Sequence, residues 1–137
     1  MSGNMSNYLE NQIQDLVLGD GSFSQPATVY VGLWTATLDD TSDGSTSGEV
    51  SGNNYSRVAV TNNSTNWPNA SSGEKHNGAA ITFPTPSGSW GTVTHVAILD
   101  ASSAGNILYW IALTASKAIN SGDTVSFATS ALSIQAN

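Results

Sequence analysis

The chain has no cysteine. That excludes a disulfide framework and every thiolate-based metal or redox site. Charge is almost as scarce: 9% of its 137 residues are Asp, Glu, Lys or Arg, against about 25% in an average globular chain. Cations are scarcest of all, since Arg57, Lys75 and Lys117 face 10 acidic residues for a net charge of -7. A surface of that sign is repelled by phosphate backbones, so nucleic acid is not an expected partner. No apolar run approaches the ~18 residues of a membrane-spanning helix, so no membrane is expected either. The opening MSGNMSNYLENQIQDLVLGDG lacks a basic n-region and a long apolar h-region, so a secretion signal is not expected.

What is present is a 39% hydrophobic fraction with 4 Trp, 4 Tyr and 3 Phe, set in a background of Ser, Thr, Asn and Gly. Disordered chains combine high charge with few aromatics, so this composition describes a folded domain made soluble by hydroxyls and amides. The length is that of one domain.

One helix is expected, near the start. Leu9, Ile13, Leu16 and Val17 fall on a single stripe of a 3.6-residue period. Asn7 is placed to cap it, with Glu10 completing a capping box and Gly19 as the left-handed residue after its end. A helix of about three turns is marginal alone in water, so its stripe must dock on something.

Beyond Gly19 the period changes to 2. Strands are expected at residues 27–37, 57–61, 80–83, 92–99, 107–113, 125–127 and 132–134, separated by polar loops and turn signals. The longest loops are 39–54 and 62–78. The fold class is all-β, a β-sandwich or jelly-roll-like domain with a short N-terminal α-helix. The expected organisation is a helical arm over 1–25 and a single β-sandwich domain over 26–137. In the strand at 92–99, Val93, His95, Ala97 and Leu99 alternate with Val96 and Ile98. Several strands are apolar on both faces, among them 27–37 with Tyr30 and Trp34 opposite Val29, Val31 and Leu33. A second apolar face needs a cover, supplied either by long loops of the same chain or by a partner.

Reactive chemistry is thin. His95 lies mid-strand, and no G-x-S-x-G turn supplies a nucleophile to it. His76 lies in a polar loop beside Glu74 and Lys75. Two separated histidines do not make a zinc site. The acidic loop from Asp39 to Glu49 departs from the EF-hand pattern, with Thr41 at position 3 and Val50 at position 12. A solvated turn-rich loop or an irregular calcium site are the two readings of it. Trp67 and Trp90, each in a polar setting, are either loop anchors or a platform for sugar rings. No catalytic residue, metal or cofactor is expected, and the chain is read as a non-enzyme.

The stretches SNYLENQIQDLVL (6–18), PATVYVGLWTA (26–36), GEVSGNNYSRVAV (48–60) and WGTVTHVAILDASSAGNILYWIALTASKAINSGDTVSF (90–127) resemble a recurrent family of small tailed-bacteriophage virion proteins, often called tail fibre proteins. The resemblance implies a structural virion component present in many copies. Two placements follow. In the first, the chain is a cement or decoration protein on the capsid exterior, binding the major capsid protein and itself as a dimer or trimer and stabilising the lattice by mass action. Acidity and the absence of shaft-like repeats favour that placement. In the alternative, it is a tail or tail-fibre component touching host-surface glycan, with Trp67 and Trp90 as the ligand-binding residues. The contact surface expected in either case comprises Leu9, Ile13, Leu16 and Val17 of the helix, with Tyr30 and Trp34 of the doubly apolar strand.

Overall fold

In a computed structural model of the chain, residues 2–136 are described. In chain order they form β1 (Ser2–Met5), α1 (Asn7–Val17), β2 (Thr28–Trp34), β3 (Val58–Thr61), β4 (Glu74–His76), β5 (Ile81–Thr82), β6 (Gly91–Leu99), β7 (Ile107–Ile119), β8 (Ser126–Phe127) and β9 (Ser133–Gln135). Seven strands make one curled sheet in the order β3-β2-β6-β7-β1-β9-β4, and β5 pairs with β8 in a second, two-stranded sheet. The class is all-β and sandwich-like, as the alternation of the sequence predicts. No helix among the described residues is long and apolar enough to cross a membrane.

The central strands are buried on both faces because each face has its own core. Val31, Leu33, Val96, Ile98 and Ile111 point into the larger core, joined there by Leu9 of α1, Ile81 of β5 and Ile134 of β9. Trp34, Ala97, Leu99 and Ile107 point into a smaller core on the opposite face, with Leu38. The alternation of β2 and β6 thus feeds two layers, which is why neither strand shows the usual polar face.

Two sequence expectations are corrected here. Val93 shares the larger core with Val96 and Ile98 rather than the face of His95 and Ala97, because the β6–β7 ladder shifts register between Val93 and His95. A bulge inverts the alternation beyond it, and periodicity alone cannot show this. The N-terminal segment, assigned to an arm ending at residue 25, begins as an inner strand instead. β1 lies between β7, paired antiparallel through Asn4 with Trp110, and β9, paired parallel through Gly3 with Ile134.

Four residues without apolar alternation can hold that position because one of them is Gly3. A Cβ there would collide with the Ile111 side chain and stand 3.0 Å from the Trp110 carbonyl oxygen. The helix follows at once, and its cap is Ser6 rather than Asn7. The Ser6 hydroxyl accepts from Leu9 N–H at 3.2 Å and donates to the Ile107 carbonyl at 2.5 Å. With Ser6 as cap, the third helical residue is Leu9, so Glu10 makes no capping box. Gly19, at φ 115°, does follow the helix end as the sequence predicts.

Gly3→Ala is expected to destabilise the domain by about 1–3 kcal/mol, the usual cost of overpacking a filled site. Thermal unfolding followed by far-UV circular dichroism checks it; an unchanged melting temperature would show that β1 has room to yield.

Candidate functional site

The second apolar face of the sheet is covered by the chain itself. The acidic loop after β2 folds across it and is fastened by Arg57, whose side chain is almost entirely buried. A guanidinium has five N–H donors, and all five are used. Nε and Nη2 clasp the Glu49 carboxylate at 2.8 and 2.9 Å. Nη1 donates to the carbonyls of Ala101 and Ala104 at 2.8 and 2.9 Å, and Nη2 to that of Gly44 at 3.1 Å. The guanidinium also lies 5.8 Å from the centre of the Trp34 ring, within cation–π range.

The knot extends to the sheet edge that β3 leaves open. Tyr55 donates its hydroxyl proton to Glu49 at 2.8 Å and accepts from Leu33 N–H at 2.9 Å. Burial pushes the Tyr55 hydroxyl far above its ordinary value, so it remains a donor at any physiological pH. Val50 N–H to the Leu33 carbonyl and Thr35 N–H to the Gly48 carbonyl continue the edge. Gly44 sits so close to Ala104 that a side chain there would overlap its carbonyl. The buried Trp34 indole donates to Thr46 carbonyl at 2.9 Å, and Trp110 donates to Asp40 at 2.8 Å. Of the two covers considered for this face, the loop is the one observed, and Trp34 is wholly enclosed beneath it.

The carboxylates weighed as calcium ligands are engaged in the same loop. Asp39 accepts from the Thr41 hydroxyl and N–H at 2.6 and 2.8 Å, which lowers its carboxyl below the ordinary value. Asp43 accepts from Ser45 N–H at 2.8 Å, and Glu49 is held by Arg57. His95 faces Thr94, with Nδ1 2.8 Å from the hydroxyl, and its ring is 6.2 Å from that of Trp110. His76 pairs with Glu74 at 2.8 Å on β4.

Both loop tryptophans point inward. Trp90 is 4% exposed, packs edge-on against Tyr55 at 5.2 Å in a cluster with Phe83, and donates its indole proton to the Asn53 carbonyl at 2.9 Å. Trp67 is 6% exposed. Its indole N–H is buried and has no hydrogen-bond partner among the described residues. Neither ring presents the open face that stacking on a sugar requires.

The helix stripe divides. Leu9 is buried and Ile13 packs partly against the larger core, whereas Leu16, Val17 and the adjoining Leu18 are 51, 72 and 77% exposed. Tyr30 is half-buried on β2. Leu9, Ile13 and Trp67 come together in the wall of a mainly apolar cleft of about 310 Å³, with Phe23, Ile134 and Lys75. Of the residues singled out by sequence, then, these three meet; Tyr30, Trp34 and Trp90 lie apart from them. Sequence reasoning missed Arg57, Tyr55 and Lys75. Arg57 carried a signal, as the sole arginine of a cation-poor chain, eight residues after Glu49.

A family model described as Podophage GP4 fiber I protein gp80 matches residues 4–135. That span takes in the helix, both cores, the Arg57 knot and the cleft. No curated protein matches the chain.

Arg57→Ala is expected to cost about 3–5 kcal/mol, because it leaves the part-buried Glu49 carboxylate and the carbonyls of Gly44, Ala101 and Ala104 without their donor, and to lower the melting temperature by on the order of 10 °C. A calorimetric scan reads the loss; a shift of a degree or two would mean that the loop holds without its clasp. His95 gives a pH test. Burial holds its imidazole below the ordinary 6.5. The unfolded chain therefore takes up a proton first as pH falls, and stability present above about 6.5 is lost as pH drops toward the folded value. Urea unfolding from about pH 7 to 5 should show this decline in the wild type and a flatter profile in His95→Gln. Equal slopes would assign the decline to other groups.

Proposed function

Because the chain belongs to the Podophage GP4 fiber I protein gp80 family, and is therefore a phage virion structural protein of the fibre class, we propose that it serves as a globular, non-enzymatic module of the tail fibre apparatus. The family match over nearly the whole chain carries this reading. The fold sets its form. A shaft is built from repeats or heptads that propagate along an axis, whereas this chain packs one curled sheet between two cores. It suits a discrete block at a joint or an end of a fibre better than a length of shaft.

The capsid-exterior placement, with the major capsid protein as partner, is the weaker of the two expected. Acidity and the absence of shaft-like repeats favoured it, and a globular module of the fibre apparatus accounts for both as well. Glycan contact through Trp67 and Trp90 is likewise no part of the proposal, since both rings are enclosed. The loops between strands, dense in Ser, Thr and Asn and held rigid by their own side-chain hydrogen bonds, are the surface left for recognition of the host or of a neighbouring virion protein.

Immunogold labelling of intact virions with antibody against this chain tests the placement. Gold is expected at the tail. Gold distributed over the head would overturn the tail reading in favour of the capsid exterior.

A further inference from the structure

The cleft and the helix tip beside it are chemically matched, and neither is satisfied among the described residues. The cleft offers two features. Its wall is mainly apolar, formed by Leu9, Ile13, Phe23 and Ile134. Lys75 lines it and has no ion-pair partner among the described residues.

The tip of α1 supplies the two counterparts. Leu16, Val17 and Leu18 are the large hydrophobic residues left exposed among the described residues. Asp15 and Asp20 flank them and are exposed. Aliphatic side chains suit an apolar wall, and carboxylates suit an ammonium.

We infer that a second copy of this chain docks here, the α1 tip of each protomer entering the cleft of the other. Tip and cleft share one helix, since Ile13 stands in the cleft wall one turn before Leu16 and Val17. A two-fold axis can therefore bring the same continuous patch of both protomers together, as an isologous interface requires. The charge match matters because the chain is otherwise acidic: at -7, two copies repel except where a cation such as Lys75 meets the partner's acids.

Sedimentation velocity on the full chain over a concentration series tests this. The wild type is expected to self-associate reversibly. Leu16→Ser and Leu18→Ser should each weaken association roughly tenfold or more, the equivalent of returning a buried leucine to water. Both positions are exposed in the protomer, so its circular dichroism and melting at high dilution should not change. Lys75→Glu should weaken association in the same way, and adding Asp15→Lys with Asp20→Lys to that variant should restore it. A wild-type chain monomeric up to millimolar concentration, including one whose cleft instead takes up the apolar dye anilinonaphthalene sulfonate, would overturn the inference. So would serine variants that associate as tightly as the wild type.

Discussion

One guanidinium decides whether this chain has one core or two. A sheet with apolar residues on both faces is unstable in water unless both faces are covered. The helix and the small second sheet cover one. The other is covered only by a polar loop, which has little hydrophobic free energy of its own to hold it down. Arg57 supplies the fastening by accepting near-complete desolvation in return for five hydrogen bonds, two of them to one carboxylate. Buried ion pairs are net favourable only when geometry is good and every remaining donor is satisfied, and here both conditions are met. The fastening joins the loop after β2 to the turn between β6 and β7, two segments that share no ladder.

The composition of the loops bears on how they are held. With only 9% of its residues charged, the chain rests the solubility of its loops on hydroxyls and amides, which also serve as local turn-formers. Asp39 with Thr41, Asp43 with Ser45, and Asn63 with Asn66 each close short side-chain-to-backbone rings. Such rings fix a loop without regular structure. The polar segments that read as connectors are therefore tied by their own hydrogen bonds, which suits a particle component that must keep its shape unaided.

Much of the sheet was legible in the sequence, because its signal is local. The period-2 runs at 28–34, 92–99 and 107–113 and the helix at 7–17 depend on side-chain alternation that any window displays. What escaped is what depends on distant partners. β1 has no alternation and is a strand only because β7 and β9 flank it. β4 consists of Glu74, Lys75 and His76, polar residues recruited to an edge by β9. The inversion at Val93 follows from a bulge set by the opposite strand. The division of the helix stripe at Leu16 reflects where the sheet ends, not how the helix is written. For the same reason the cleft was invisible: Ile13, Trp67 and Ile134 are remote in sequence, and only the curl of the sheet gathers them.

The position of β1 has a consequence for biosynthesis. Ser2 and Gly3 pair with Ser133 and Ile134, so this ladder joins segments roughly 130 residues apart. A contact of that separation has a high loop-closure entropy, and such topologies fold slowly. While the ribosome is still translating the segment that becomes β9, β1 has one unpaired edge, and an open edge is a template for pairing with another chain. Nascent copies made close together on one message are thus open to strand exchange until β9 of each is in place. The brevity of β1, four residues interrupted by a glycine, limits that hazard.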